Sequence, residues 1–177
     1  MTPIVHYLFV LSLDEKANAE IVSNRRELSK LLGISLAGQR YVPHITLLDF
    51  NREENDDTVI KKALQGLEGI SNITLEMKGI QLFSTNSKDT VVYTFKNPES
   101  VNRLHTQLSL AYLKRPNLRM MPHITIAKEI EKLNPEIVSQ LPAFSKHLIK
   151  CASFSILKKE VNHPESSYIP VYTMTLK

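Results

Sequence analysis

Apolar residues dominate positions 5–13, recur every three or four residues over 14–32, and alternate with polar ones from 40 to about 50. The first and third stretches read as strands and the second as a helix. Asp14 opens the helix, Ala17, Ile21, Leu28 and Leu32 form its apolar stripe, and Gly33 stops it. A loop through Gly38 leads to the next strand. Asp56 or Asp57 is then placed to cap a second helix carrying Ile60, Leu64 and Leu67, ended by Gly66 and Gly69. From Ile73 the alternation returns through Leu75 and Met77, then flips parity at Gly79 so that Ile80 and Leu82 continue out of phase. An inserted residue, a bulge, accounts for the flip.

Polar residues 84–89 turn the chain into a strand over 90–95, with Val91, Tyr93 and Phe95 on one face. The cycle then starts over. Asn97 and Pro98 start a third helix with Val101, Leu104, Leu108 and Tyr112 as its stripe, ending before Pro116. A strand follows over 121–128, then a short helix opened by Asn134 and Pro135 and holding Ile137, Val138 and Leu141. A strand over 148–157 shifts phase near Ser153, as the earlier one does at Gly79, and a closing strand over 168–176 pairs with it. Strand, helix, strand, helix and bulged strand thus occur twice, the mark of an internal duplication. The order implies an α+β fold of two lobes related by an approximate two-fold axis. Each lobe is a mainly antiparallel sheet with helices on its outer face, and a groove runs between them. At 177 residues the chain has the length of one bilobal domain, residues 1–177.

The strand after the first helix of each cycle is entered through the same seven-residue pattern: Arg40-Tyr41-Val42-Pro43-His44-Ile45-Thr46 and Arg119-Met120-Met121-Pro122-His123-Ile124-Thr125. Each proline biases the residue before it toward an extended shape, so both copies enter as strands. His44 and Thr46 then share one face, as do His123 and Thr125, while Ile45 and Ile124 point into the core. A histidine gives or takes a proton near neutral pH, and a hydroxyl beside it holds an anionic oxygen. One such copy alone reads as an ordinary strand histidine. Two at the same place in both halves do not, because strand packing has no use for a residue that is costly to bury without partners. Face to face across a groove, they supply a base and an acid on opposite sides of one phosphorus atom. Arg40 and Arg119 are placed either to clamp phosphate or to face solvent.

Composition narrows the class. Lys plus Arg number 22 against 18 Asp plus Glu, a net charge of +4, which suits a polyanionic substrate without identifying one. The lone Cys151 lies in an apolar strand pattern and reads as packing in a reducing compartment, hence a cytoplasmic location. The apolar run 4–13 has no basic residues before it and meets Asp14 and Glu15 at once, so neither a signal peptide nor a membrane span is expected. There is no Gly-rich phosphate loop and no Cys or His cluster at zinc spacing, so no metal or cofactor is expected. His6, His105 and His147 read as structural or exposed, and His163 lies in the loop before Tyr168. Asp49 and Glu129 form no obvious acid and base pair.

The two motifs His44-Ile45-Thr46-Leu47 and His123-Ile124-Thr125-Ile126 resemble those of the 2H phosphoesterases, and within them the bacterial 2'-5' RNA ligase or RNA 2',3'-cyclic phosphodiesterase group. The resemblance spans nearly the whole chain. It implies His44 and His123 as catalytic residues, with Thr46 and Thr125 holding phosphate. Lys128 stands where the group usually has an arginine, five positions after the second histidine, and lacks arginine's bidentate fork. On a regular strand that odd offset turns it to the Ile124 face, so it reaches the groove only if the strand bends. Tyr168-Ile169-Pro170-Val171 resembles the group's Tyr-x-Pro-Leu segment and implies a tyrosine at the groove's edge that stacks on a base.

The resemblance implies a metal-independent enzyme, acting as a monomer on RNA or nucleotides. One histidine takes a proton from water attacking a 2',3'-cyclic phosphate while the other protonates the departing ribose oxygen, leaving a 2'-phosphate. On a 2'-5' linkage the neighbouring 3'-hydroxyl would replace water and leave a cyclic product, and ligation is that step run backward. A phosphodiesterase of 2'-5' linked or cyclic oligonucleotide signals, and a non-catalytic RNA-binding module, are the alternatives. The near identity of the motifs leaves open which histidine is acid and which is base.

Overall fold

The computed structural model describes residues 4–36, 42–53, 55–112, 120–145, 147–162 and 167–176. Its elements are β1 (Val5–Leu13), α1 (Glu15–Leu32), β2 (His44–Arg52), α2 (Asp56–Gly66), β3 (Thr74–Ser84), β4 (Lys88–Phe95), α3 (Glu99–Tyr112), β5 (His123–Glu131), α4 (Pro135–Ser139), β6 (Leu148–Glu160) and β7 (Ile169–Thr175). The α+β architecture is the one the alternation of periods implies.

The helix ends arise from local chemistry. The Asp14 carboxylate accepts from the Ala17 amide at 2.9 Å, and Gly33, at φ 62°, closes α1 in the left-handed region. The cap of α2 is Asn55, not Asp56 or Asp57: its side chain accepts from the Thr58 amide at 2.9 Å. The two aspartates fill the first turn instead, where negative charge meets the positive end of the helix. Asp56 also accepts from the Tyr7 hydroxyl at 2.8 Å and from Lys158 at 2.5 Å, tying α2 to β1 and β6. The turn expected over 84–89 is tighter, because β3 continues to Ser84 and β4 starts at Lys88. Likewise β5 and β6 outrun their expected ends at 128 and 157.

The strands run in the order β1-β2-β5-β4-β3-β6-β7, with β1 also pairing β6, so the ribbon curls back on itself. All the pairings are antiparallel. Two lobes result: β2, β1, the later part of β6 and β7 form one sheet, and β5, β4, β3 and the start of β6 form the other. Each bulged strand pairs with the first strand of the opposite half, β3 with β4 and β6 with β1. The expected bulge at Gly79 is present, with a register shift between Met77 and Gly79 and φ 145° at the glycine. Its counterpart in β6 falls between Cys151 and Ser153.

The helices are exchanged too. From α1, Asn24 hydrogen-bonds the Tyr93 hydroxyl of β4 and Arg25 donates to the Ile126 carbonyl of β5. From α3, His105 bonds the Leu47 carbonyl of β2 and Tyr112 packs edge-on against Phe9 of β1. Each half therefore lends its first helix to the other half's sheet. The cores lie under these helices: Tyr7, Phe9, Leu11 and Phe154 in one lobe, Tyr93, Leu75 and Ile124 in the other, all at most 1% exposed. Truncating one of these rings to alanine removes about 3–5 kcal/mol, so the helices hold the open faces of the sheets firmly in place. No helix among the described residues is long and apolar enough to cross a membrane.

Candidate active site

The groove face of the first lobe is read directly from strand register. On β1 and β2, Ser12 lies opposite His44, Val10 opposite Thr46, Leu8 opposite Asp49 and His6 opposite Asn51. Leu47 is skipped, and both Leu47 and Leu48 turn inward, 2% and 4% exposed. A bulge therefore comes directly after the His-x-Thr unit and changes the parity of the strand. The second lobe repeats it. Thr94 lies opposite His123 and Val92 opposite Thr125, then Val91 opposite Ala127, so Ile126 is skipped and both Ile126 and Ala127 are fully buried. After this bulge Lys128 comes out exposed on the same face as His123 and Thr125. A regular strand would turn Lys128 to the Ile124 face; the inserted residue returns it to the side of His123 and Thr125.

In each lobe a buried helix side chain binds the carbonyl of the skipped residue. Arg25 Nε donates to the Ile126 carbonyl at 2.7 Å, and His105 Nδ1 lies 2.6 Å from the Leu47 carbonyl. Both side chains are buried, at 8% and 6% exposure. Since a carbonyl can only accept, His105 carries its proton on Nδ1. The exchanged helices thus hold the two bulges, and the bulges set which way Asp49 and Lys128 face.

The catalytic candidates are oriented in the same way as each other. His44 Nδ1 lies 2.8 Å from the Val42 carbonyl and His123 Nδ1 lies 2.9 Å from the Met121 carbonyl. In each case the accepting residue precedes a buried proline, Pro43 or Pro122, which restricts it to an extended conformation and so fixes its carbonyl. The proton therefore sits on Nδ1, and Nε2 is the working nitrogen of both rings. The motif strands meet at the Ile45–Ile124 pair. Continuing that antiparallel register by one residue sets His44 opposite Thr125 and His123 opposite Thr46. The four motif side chains, all half-buried, form one cluster about the approximate two-fold.

Burial pushes His44 below the ordinary histidine range; the Val42 carbonyl opposes this, and the positive charges of His123, Lys128 and Arg25 push further down. The charges of Lys128 on β5 and Arg25 on α1 therefore act on the motif cluster. Phe83 of β3 meets the His123 ring edge-on, with centroids 4.9 Å apart. Sequence reasoning missed Phe83, and nothing in its local pattern marks it.

Tyr168, immediately before the closing strand β7, stands against His6 of β1. Its hydroxyl bonds His6 Nδ1 at 2.5 Å, and Lys159 Nζ sits over its ring, 5.2 Å from the centroid. Arg40, Arg119 and His163 lie outside the described residues. Burial pushes the Cys151 thiol up to about 12, which makes it inert packing. Among the described residues no three His, Cys, Asp or Glu side chains converge as a metal site.

The sequence model of the 2'-5' RNA ligase superfamily matches residues 14–160. Among solved structures, E. coli LigT in its apo form is similar at a TM-score of 0.69 and 14% identity, with 98% of each chain covered. TT0787 of Thermus thermophilus is similar at 0.67 and 15%, covering 97% of each chain. Kluyveromyces marxianus Usb1 is similar at 0.52 and 10%, covering 96% of this chain and 98% of the other. At such identities the likeness is one of fold. E. coli LigT has also been crystallised with 3'-AMP and with phosphate. No curated protein sequence matches the chain.

Proposed function

The chain belongs to the 2'-5' RNA ligase superfamily, the 2H phosphoesterases, and we propose that it opens 2',3'-cyclic phosphates of RNA or nucleotides to 2'-phosphates without a metal. The observation that carries this reading is the matched orientation of two histidines, each with Nδ1 held by the carbonyl before its proline, which makes Nε2 the nitrogen for proton transfer. Crystals of E. coli LigT with 3'-AMP support a nucleotide as the occupant of the groove.

His44 is the base in this reaction. A ring kept neutral by burial and by positive neighbours is ready to accept a proton at Nε2. It takes that proton from a water as the water oxygen attacks phosphorus. The bond from phosphorus to O3' breaks on the opposite side, and His123, entering protonated, gives its Nε2 proton to the leaving oxygen. A 2'-phosphate and a free 3'-hydroxyl remain. Thr46 and Thr125 donate to the non-bridging oxygens, and Lys128 offsets the charge that gathers there. With a 5'-hydroxyl in place of water, the same attack on phosphorus and the same loss of O3' make a 2'-5' bond.

The test is incubation of the purified protein with cyclic-phosphate-ended RNA in excess chelator, with phosphorus NMR of the products. A 2'-phosphate formed at an unchanged rate is expected. A 3'-phosphate would reverse the placement of the acid, and loss of activity in chelator would reject the metal-free mechanism.

A further inference from the structure

The approximate two-fold makes Asp49 and Lys128 counterparts: each stands five residues after its motif histidine, and each returns to the groove face through a bulge. Their charges are opposite. The second lobe offers a cation to phosphate at that position, whereas the first offers a carboxylate, which repels phosphate and accepts from N–H and O–H donors. The groove therefore has a cationic end at Lys128 and a donor-reading end at Asp49, with the motif histidines between them.

Asp49 is held in place without being used up. His6 Nε2 approaches its Oδ2 at 3.6 Å, the carboxylate side chain remains 65% exposed, and His6 is itself fixed by the Tyr168 hydroxyl at 2.5 Å. The acceptor-only carboxylate facing Nε2 favours the tautomer with the His6 proton on Nε2, in which Nδ1 accepts from the Tyr168 hydroxyl. Lys159, opposite His6 in the β1–β6 register, rests over the Tyr168 ring. A carboxylate has about four acceptor positions, and His6 addresses at most one.

Along the strand, Asp49 lies four ladder steps beyond His44, about 13 Å at 3.3 Å per step. That separation leaves room for a nucleoside whose phosphate lies between the histidines and whose base is directed along the strand toward Asp49. We propose that Asp49, positioned by His6 and Tyr168, reads the donor edge of the base whose phosphate lies between the motif histidines, and that guanine is preferred. Guanine alone among the four bases presents two adjacent donors, N1–H and the 2-amino group, to the two oxygens of a carboxylate. Uracil, cytosine and adenine present one donor group each. This rests on the reaction proposed above and goes further by naming a base.

The experiment measures kcat/KM for the four nucleoside 2',3'-cyclic monophosphates with wild type, Asp49→Asn, Asp49→Ala and His6→Gln, alongside calorimetric affinities for 2'-GMP and 2'-UMP. Wild type should favour guanosine over uridine by about ten-fold or more, the usual worth of a bidentate base contact. Asp49→Ala should bring that ratio to within about two-fold, and His6→Gln should narrow it partway. Equal kcat/KM for all four bases in wild type, or an unchanged ratio in both Asp49 variants, would overturn the proposal. If no cyclic phosphate is turned over, the reaction above fails, and the affinity ratio of 2'-GMP to 2'-UMP still decides the base site. A wild-type preference lost in Asp49→Ala sustains it; equal affinities sink it.

Discussion

Ile45 pairs with Ile124 where β2 meets β5, and both side chains are fully buried. The halves of the chain meet a second time in the same form, since Leu75 pairs with Ile149 where β3 meets β6, flanked by Thr74–Lys150 and Glu76–Leu148. Each pair joins a residue to its own counterpart in the other half, so the approximate two-fold passes through both. The histidines flank the first pair as a direct result. Their facing arrangement is a product of the axis and requires no loop to bring them together.

His44→Ala and His123→Ala are each expected to lower turnover by about 10²–10⁴-fold, the usual worth of a positioned general acid or base. Both rings are half-buried on the open face, so folding should survive. A folded variant of either kind with wild-type turnover on a cyclic phosphate would remove that ring from the chemistry. Thr46→Val and Thr125→Val should cost less, because each deletes one phosphate contact and leaves proton transfer in place.

The buried position of His44 makes two pH effects. Its neutral form is the active one, so the acidic limb of kcat/KM should lie below the ordinary histidine range, and a bell should result because His123 must start protonated. In folding, the depressed pKa of the folded ring means that the unfolded chain binds the extra proton first. Stability is therefore lost as pH falls from the ordinary histidine value through the lowered one. Denaturant melts of wild type and His44→Gln over that window should show a shallower decline for the variant.

Lys128→Arg is expected to keep or raise activity, and Lys128→Ala to weaken it, since either cation can face phosphate across the groove. The loss should shrink in high salt, which screens an exposed charge. Identical kinetics for wild type and the alanine variant at every salt concentration would assign Lys128 to the solvated surface.

Removing the side chain that holds a bulge should cost more than its size suggests. Arg25→Met takes the Arg25 donor away from the buried Ile126 carbonyl, a loss of about 1–3 kcal/mol, measurable from urea unfolding. Slippage of the bulge would also turn Lys128 from the groove, so KM should rise along with the stability loss. A destabilised Arg25→Met with unchanged KM would separate the bulge from phosphate binding. His105→Phe tests the other lobe in the same way, with Asp49 as the residue displaced.

Much of this was legible because it is local. Period, caps and turns are written in neighbouring residues, so the strands and helices, the bulge at Gly79 and the faces of His44 and His123 can be read from the chain alone. The carboxamide of Asn55 outcompeting two aspartates for a cap was missed because all three residues suit the position. Leu47-Leu48 and Ile126-Ala127 do break the alternation just after each motif, and that small signal marks the bulges that place Asp49 and Lys128.

By itself the sequence determined the elements, their duplicated order and the chemistry of the two motifs, since each rests on side-chain period and residue type. Only the tertiary structure decided which half's helix covers which sheet, that Arg25 and His105 hold the bulges, that Phe83 meets His123, and that His6 joins Asp49 to Tyr168. Those contacts join residues as far apart as 6 and 168, and they depend on how strands are ordered in the sheet. A local pattern carries no information about that order, because an antiparallel strand presents the same alternation to any neighbour.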